Sequence, residues 1–535
     1  MKNLKKYLAV MALSLMGQAA SAQLAVTNNR ANAESQLRKL TIAEMAIKAL
    51  YVDEVDEQKL VEDAIRGMLE KLDPHSTYTN PKETKAMTEP LNGSFEGIGV
   101  QFNMVEDTLI VIQPVINGPS EKIGILAGDR IVMVNDTAIA GVKMSKEEIM
   151  RRLRGPKGTI ADLRVVRPGI KDLLTFKVKR DKIPVHTIDA SYMLRPGIGY
   201  IRVGSFGATT YDEFLERLEQ LKAAGMKDLV LDLQENGGGY LQAAADMAGE
   251  FLSPGDLIVY TEGREVPRRE YKASRSGSFR EGRVVVLVDQ FTASAAEIVT
   301  GAIQDQDRGL VVGRRTYGKG LVQRPIELPD GSMIRLTIAH YFTPSGRCIQ
   351  KPYEKGDRKS YDKDLLNRLN SGELTNVDSI HFADSLKYQT LKKQRTVYGG
   401  GGIMPDYFIP LDTTRYTKYH RELAAKSVII QQNLRYVDKN RKALKKQYSD
   451  FASFKANYQV PQSFIDAIIK EGEKQNIKPK DDAELEKTMP YLKLQLKALV
   501  ARDLWDMNEY FSVFNEDSET VKKALELLQF AHHAR

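Results

Sequence analysis

Apolar residues near the start of the chain repeat with the spacing of α-helices. The two helical runs consist of Leu40, Ile42, Met45, Ala46, Ala49 and Leu50, and of Leu60, Val61, Ala64, Ile65, Met68 and Leu69. Asp73-Pro74 predicts the end of the second helix, because proline favours a helix boundary. We expect these helices to pack on each other or on a second copy of the chain.

From Gly93 the pattern changes to short strands. Strands are predicted over 108–113, 130–135 and 161–167, with a short helix over 145–153. Glycine and proline separate these segments. Residues 86–180 are therefore predicted to form a small β-rich module.

From about residue 192, strands and helices alternate. The predicted strands cover 199–203, 228–233 and 284–289, and the predicted helices cover 211–224, 241–252 and 294–304. This rhythm is typical of βαβ units and predicts an α/β layer with a largely parallel sheet. A hairpin is predicted over 326–342, around the turn Pro329-Asp330-Gly331.

The last part of the chain is more strongly charged. Residues 351–395 are polar and mixed in charge, which favours a surface excursion. Beyond about residue 412 the chain is Lys-rich and helical, with amphipathic runs at 464–469 and 492–505.

Length and composition indicate a globular protein of three or four compact units, since 535 residues exceed one hydrophobic core. A net charge of +8 is small for this length and gives no support for nucleic-acid binding. The single cysteine, Cys348, excludes an internal disulfide and a cysteine-based zinc site. The seven histidines form no HExxH pair, so neither a metal nor another cofactor is predicted.

The first 22 residues have the parts of a secretory signal peptide. Lys2, Lys5 and Lys6 give a positive start, residues 7–16 are apolar, and Ala20-Ser21-Ala22 is a small-x-small cleavage site. The apolar run is too short to span a bilayer, and no cysteine near the cleavage site offers a lipid anchor. We therefore expect an exported protein.

Ser294 stands where a predicted strand and turn lead into a predicted helix. A serine at such a junction presents its hydroxyl at the end of the sheet, and the N–H of Ala295 can donate to an oxyanion. The alternative is a plain helix cap, because serine is a favoured N-cap residue.

Lys319 lies in Tyr317-Gly318-Lys319-Gly320, followed by apolar Leu321-Val322. Burial in such surroundings lowers the pKa of a lysine from about 10.4, which allows the neutral amine to accept the serine proton. The alternative is an exposed lysine on a glycine turn.

Two glycine-containing segments also bear on chemistry. Gly237-Gly238-Gly239 follows a predicted strand and offers backbone N–H groups for a second oxyanion donor, or is simply a flexible turn. The segment from Gly313 to Lys319 matches GxxxxGK, but Gly320 replaces the required Ser or Thr and a strand follows, so nucleotide binding is not predicted.

Together these motifs resemble the C-terminal processing peptidase (tail-specific protease) family. The matching segments are 291–298 around the serine, 316–323 around the lysine, the glycine loop 232–239, Leu72-Asp73-Pro74-His75-Ser76, and the PDZ-like segments 95–100 and 124–131. Lys319 follows Ser294 by 25 residues, which fits the family. In the loop usually written Asp-Leu-Arg-x-Asn-Pro-Gly-Gly, Gln234 replaces the arginine and Gly237 the proline.

The resemblance implies an α/β protease core of ClpP/crotonase-like βαβ layers, an inserted β-rich PDZ domain, and helical N- and C-terminal regions. The expected boundaries are 1–22 for the signal peptide, 23–85 for the N-terminal helical region, 86–180 for the PDZ domain, 181–411 for the serine protease core and 412–535 for the C-terminal helical region. It also implies a periplasmic location.

The resemblance assigns roles to particular residues. Ser294 is the expected nucleophile, Lys319 its general base, and Gln323 orients the lysine. Ala295 with Gly238 or Gly239 is expected to form the oxyanion hole. The PDZ loop of Gly97, Ile98, Gly99 and Val100 is expected to bind the terminal carboxylate of a protein or peptide substrate.

Two alternatives to a processing peptidase remain. One is a non-catalytic PDZ-containing binding protein on a protease-like fold, and the other is a Ser-His-Asp hydrolase that uses Ser294 with His340. No GxSxG motif and no evident acidic partner of His340 support the second alternative. The terminal helices favour a homodimer, and the sequence names no adaptor or activator.

Overall fold

The computed structural model describes residues 34–274 and 277–530, so the predicted signal peptide lies outside the described residues. The N-terminal elements are α1 (residues 34–50), α2 (Glu57–Glu70), β1 (Thr77–Thr79) and α3 (Pro81–Thr88). Asp56 caps α2 by accepting a hydrogen bond from the Lys59 N–H. Asn80 and Glu83 form a capping box at the start of α3.

The apolar side of α1 is not buried on α2. Leu40, Met45 and Leu50 are exposed by 52%, 61% and 82%. The expected packing of the two helices on each other is therefore wrong. The exposed apolar residues of α1 remain available to pack on a second copy of the chain, which is the other arrangement expected from the sequence.

Residues 94–184 contain the predicted β-rich module. Its elements are β2 (Ser94–Gly97), β3 (Val100–Val105), β4 (Thr108–Pro114), α4 (Pro119–Lys122), β5 (Arg130–Val134), β6 (Thr137–Ala138), α5 (Lys146–Leu153), β7 (Ile160–Val166), β8 (Leu174–Lys179) and β9 (Asp181–Pro184). The antiparallel sheet has the order β3-β4-β5-β7-β8, with β6 beside β5. Leu109, Ile131 and Leu163 belong to its core. β3 is an edge strand that pairs only with β4 among the described strands, and at its far end the Met104 carbonyl accepts a hydrogen bond from Gln431.

The α/β layer forms as its alternating pattern predicts. Its elements are β10 (Ile188–Arg195), β11 (Ile198–Val203), α6 (Thr210–Ala223), β12 (Asp228–Asp232), α7 (Leu241–Gly249), β13 (Leu257–Glu262), β14 (Arg269–Lys272), β15 (Val284–Val288), α8 (Ala295–Asp305), β16 (Leu310–Gly313), β17 (Leu321–Glu327), β18 (Met333–Phe342), α9 (Arg358–Asp362), α10 (Asp364–Asn370), β19 (Lys387–Gln389), β20 (Thr396–Tyr398) and β21 (Tyr407–Phe408). A six-stranded sheet has the order β10-β11-β12-β15-β16-β21 and is parallel from β11 onwards.

Both faces of this sheet are buried, which explains why the central strand β15 is apolar at every position. Leu229, Leu231 and Val286 pack on one face with residues of α6, α7 and α8. Val230 and Leu287 point to the other face, where they share a core with C-terminal residues.

A second sheet carries the predicted hairpin. Its order is β1-β18-β13-β14, with β17 paired to β18. The hairpin is longer than predicted, because Leu321 and Val322 already pair with His340 and Ala339. The strand β17 therefore begins directly after the glycine-flanked lysine segment.

Residues 351–395 lie mostly at the surface, as their polarity favours, but a few of them are buried. Lys351, Tyr361 and Arg368 are only 4–5% exposed. Lys351 pairs with Asp364, and Arg368 pairs with Glu373. The two buried charges, Lys351 and Arg368, are thus paired inside the fold, a pairing that composition alone does not reveal.

The C-terminal part is helical as predicted. Its helices are α11 (Lys418–Ala425), α12 (Val428–Gln447), α13 (Phe451–Asn457), α14 (Gln462–Lys474), α15 (Asp482–Leu504), α16 (Met507–Phe514) and α17 (Glu519–Phe530). The helices from α11 to α16 build a core of their own, and α12 also contacts the β-rich module through an ion pair of Asp438 with Arg130. Phe511 of α16 and Val521 and Leu528 of α17 close the open face of the six-stranded sheet.

Candidate active site

Ser294 lies at a sharp turn between β15 and α8. Its backbone has φ of +56° and ψ of −116°, a conformation that is strained for a residue with a Cβ. An ordinary N-cap has an extended backbone, so capping alone does not account for this geometry. A strained strand-to-helix turn is how acyl-transfer enzymes expose a serine hydroxyl.

A single buried carboxylate fixes the Ser294 turn to the Lys319 segment. Oε2 of Glu297 accepts the N–H of Ser294 at 2.7 Å and the N–H of Lys319 at 2.9 Å. Oε1 accepts the N–H of Gly318 at 2.8 Å and the hydroxyl of Thr316 at 2.5 Å. Burial raises the pKa of Glu297, and these four donors oppose that rise. Glu297 thereby holds the Ser294 turn and the Lys319 segment in fixed positions relative to each other.

Lys319 and Ser294 line one cavity of about 530 Å³. The Nζ of Lys319 has no hydrogen-bond or ion-pair partner within residues 34–274 and 277–530. Burial lowers the pKa of Lys319 to about 8, repulsion by Arg335 adds to this, and Glu297 and Asp73 act in the opposite direction. An amine of this pKa is partly neutral near pH 8 and can accept a proton.

Gln323 faces the same cavity from β17. Its Nε2 donates to Oγ1 of Thr337 at 3.3 Å, and the hydroxyl of Thr337 donates to Oδ1 of Asp73 at 3.0 Å. Because a carboxylate only accepts, the threonine proton goes to Asp73 and the Gln323 amide must donate. The Gln323 Oε1 is therefore left free for another donor, although no hydrogen bond joins Gln323 to Lys319 in this conformation.

The glycine loop lies directly against the serine turn. A Cβ on Gly238 would come within 2.8 Å of the Ser294 Cβ and 2.9 Å of the Ala295 nitrogen, and Gly238 has φ of +97°. The N–H of Ala295 has no acceptor among the described residues. The loop and the first turn of α8 thus enclose a space beside Ser294.

The structure changes the prediction that the Gly238 N–H is an oxyanion donor. The N–H of Gly238 donates to Oδ1 of Asn236 at 2.8 Å, so it is already used. The N–H of Gly239 has no acceptor in the described parts of the chain. The carbonyl of Gly238 accepts from the Phe206 N–H at 2.9 Å, so the Gly239 N–H, which lies opposite it across a trans peptide, points away from Phe206. Of the two glycines predicted as donors, Gly239 remains.

A second groove lies in the β-rich module, between the edge strand β3 and helix α5. It has a volume of about 280 Å³ and is lined by Phe95, Gly97, Ile98, Gly99, Val100, Gln101, Phe102, Lys146, Met150, Leu153 and Arg154. The N–H groups of Ile98 and Gly99 have no acceptor among the residues that the structure describes. An open strand edge with free amides at one end is suited to an added peptide strand that ends in a carboxylate.

The structure forms neither the Ser-His-Asp site with His340 nor a nucleotide-binding loop at the GxxxxGK segment. His340 is exposed on β18, where its Nδ1 lies 3.9 Å from the sulfur of Cys348, and it does not line the cavity of Ser294. In the GxxxxGK segment, the N–H groups of Gly318 and Lys319 are bound to Glu297, and that of Tyr317 to the Thr292 carbonyl. Those amides are not free for a phosphate.

Comparison with known proteins decides the family. The sequence model of Peptidase family S41 matches residues 197–358, and that of the PDZ domain matches 97–179. The N-terminal domain of the activating protease CtpB matches 5–84, and a family of unknown function matches 419–506. The carboxy-terminal processing protease CtpA of Bacillus subtilis is 36% identical over 62% of this chain and 71% of its own.

The chain belongs to the carboxy-terminal processing protease family. A carboxy-terminal-processing protease of Bartonella bacilliformis is also 36% identical, over 62% of this chain and 76% of its own. A solved structure of a photosystem II D1 C-terminal processing protease has 31% identity over 56% of this chain and 81% of that one, with a TM-score of 0.32. The resemblance read from the motifs is confirmed, and this carboxy-terminal processing protease is a serine-type peptidase with a PDZ domain.

Sequence reasoning missed three side chains that shape the protease site. Glu297 stands three residues after Ser294, a capping-box spacing that was visible in the sequence. Asp73 lies in a matched motif, but its link to Thr337 spans 264 residues and needs the fold. Arg335 lies on the far strand of the hairpin, where the sequence gives no sign that it reaches the cavity.

Proposed function

We propose that this protein is a serine endopeptidase that cleaves exported proteins near their C-termini with a Ser294–Lys319 dyad. The observation that carries the proposal is the shared cavity: a serine on a strained turn and a lysine whose pKa is lowered to about 8 face the same space. The buried Glu297 that binds both backbones supports a preorganised pair.

The proposed reaction follows from these positions. Neutral Lys319 takes the Oγ proton as Ser294 attacks the scissile carbonyl, and the N–H groups of Ala295 and Gly239 bind the oxyanion. Collapse of the intermediate transfers the proton to the leaving amine. Lys319, neutral again, then takes a proton from the water that attacks the acyl-enzyme. Gln323, held by Thr337 and Asp73, offers its Oε1 to the lysine.

Substrate capture is assigned to the PDZ groove. A substrate C-terminus adds to the open edge of β3, and its carboxylate accepts from the loop formed by Gly97, Ile98, Gly99 and Val100. The free N–H groups of Ile98 and Gly99 support this role. The tethered chain then reaches the cavity of Ser294.

The same proposal covers organisation and location. We assign a signal peptide to 1–22, a PDZ domain to 86–180, a protease core with ClpP/crotonase-like layers to 181–411, and helical regions to 23–85 and 412–535. The signal peptide implies export to the periplasm. Within residues 34–274 and 277–530, no helix is long and apolar enough to cross a membrane.

We further propose a homodimer through the terminal helices. The exposed apolar residues of α1, Leu40, Met45 and Leu50, are the main support, because an apolar helix face of this kind usually marks an interface. Light scattering of the protein and of a Leu40→Gln/Met45→Gln variant tests this: the variant should be monomeric, and a monomeric parent protein would refute it.

A serine-reactive fluorophosphonate separates the protease from a non-catalytic binding protein. The probe should label Ser294, and the Ser294→Ala variant should neither react nor cleave peptides. Absence of labelling in the folded parent protein, together with tight peptide binding, would favour the binding protein.

A further inference from the structure

The catalytic cavity contains a second cation that the proposed chemistry does not use. Arg335 of β18 lines it together with Ser294 and Lys319. The residues that line this cavity include no Asp or Glu. When Lys319 is neutral, as the proposed reaction requires, Arg335 carries the only formal charge of the lining.

Arg335 has an unusual set of partners. The only hydrogen-bond acceptor of its guanidinium in the described residues is the sulfur of Met87, 3.2 Å from Nη1, and a thioether is a weak acceptor. Burial lowers the pKa of Arg335, and no carboxylate offsets that desolvation.

Two other arginines of the protease core each donate to at least two oxygen acceptors. Arg347 donates to Asp305 and Gln304. Arg308, which has no carboxylate partner, donates to three backbone carbonyls. A half-buried guanidinium without such partners is unfavourable unless an incoming group completes its hydrogen bonds.

We propose that Arg335 binds a carboxylate of the substrate inside the catalytic cavity, so that this protease prefers peptides with an acidic group near the scissile bond. The inference rests on the proposed function, because it takes the cavity of Ser294 to be the place of cleavage. Planar guanidinium donors match a carboxylate in geometry and charge. Two sources supply that chemistry: an Asp or Glu side chain, or the terminal carboxylate of the chain.

The test measures binding to the full-length Ser294→Ala protein, which needs no Ser–Lys chemistry. Four fluorescent peptides are compared, with Glu or Gln near the scissile bond and with a free or amidated C-terminus; the bond is first mapped with the active enzyme. The Glu peptides should bind about tenfold tighter than their Gln counterparts, as for a charge-assisted hydrogen bond.

Arg335→Met in this background should remove that preference, and Arg335→Lys should retain part of it. Arg324→Gln is the matched control, because Arg324 lies exposed on the neighbouring strand β17 and should leave the preference intact. Loss of the free-acid preference alone in Arg335→Met would assign the terminal carboxylate as the source. The proposal is overturned if Arg335→Met, folded by thermal melting, binds all four peptides as its parent does or weakens all four equally.

Charge reversal supplies a second readout. Arg335→Glu should invert selectivity towards peptides with Lys at the same position, and persistence of the Glu preference would overturn the proposal. If Ser294→Ala protein still cleaved peptides, the proposed dyad would fail while these binding comparisons still held.

Discussion

The catalytic cavity and the PDZ groove are built in different ways. Around the cavity, the groups that set the geometry are buried and hydrogen-bonded: Glu297 accepts four donors, and Asp73 fixes Thr337 and through it Gln323. The groove offers free backbone amides at the end of a strand edge, and the polar side chains of its lining are Gln101, Lys146 and Arg154. A site for bond breaking needs fixed positions, whereas a site for capture needs only a free edge and an apolar floor.

The largest expected effect tests the fixed site directly. Lys319→Ala removes the proposed base, and kcat/KM for a peptide substrate should fall by about 10⁴-fold or more, with little change in thermal stability. Lys439→Ala, an exposed lysine of α12, is the control and should leave kcat/KM unchanged. Normal turnover by Lys319→Ala would disprove the dyad.

Crowding at the glycine loop should have the next largest effect. A Cβ on Gly238 would meet Ser294 and Ala295 within 2.9 Å, so Gly238→Ala should lower kcat by about 10²–10³-fold, as loss of an oxyanion donor does. Gly225→Ala is matched for backbone strain, since Gly225 has φ of +89° but no atom within 4 Å of a Cβ. Equal kcat in the two variants would show that the loop does not set the oxyanion geometry.

The pH dependence of kcat/KM should follow the ionisation of Lys319. Because burial lowers the pKa of Lys319 to about 8 and the base acts only when neutral, kcat/KM should rise with pH and level off above about 8. Below that value it should fall about tenfold per unit. Arg335 lowers this pKa by repulsion, so Arg335→Met should move the acid limb to higher pH. A profile that is flat between pH 5 and 9 would argue against a lysine base.

The smallest effect is expected at the groove. Amidation of a substrate C-terminus should raise KM by about tenfold, because the carboxylate loses its backbone donors, and kcat should stay the same because the cavity is unchanged. The comparison is repeated in Arg335→Met, where the groove contribution should persist. An unchanged KM for the amide in both proteins would mean that the groove does not read the terminal carboxylate.

Much of this fold could be predicted from local sequence patterns. The features that could not be predicted depend on contacts between residues that are distant in the sequence. Runs of apolar residues predict the strands at 228–232 and 284–288. Helical spacing of apolar residues predicts the helix after Ser294. The burial of Arg368 within the mostly exposed segment 351–395 was not predicted, because it depends on the backbone carbonyls of Arg315 and Thr316, which only the fold brings close. Gly238 was predicted as a candidate oxyanion donor, but its N–H is bound by Asn236, a contact that the sequence does not reveal.

The closure of the six-stranded sheet by the last two helices has a consequence for biosynthesis. Val230 and Leu287 stay open to water until Val521 and Leu528 have been synthesised and docked. Thr520 also donates to Gln234, in the loop that leads to the catalytic glycines. Since a chain emerges from its N-terminus, the core of the six-stranded sheet stays incomplete until α17 has been made. The last two helices are thus part of the protease core, although they lie outside the segment that matches the S41 family model.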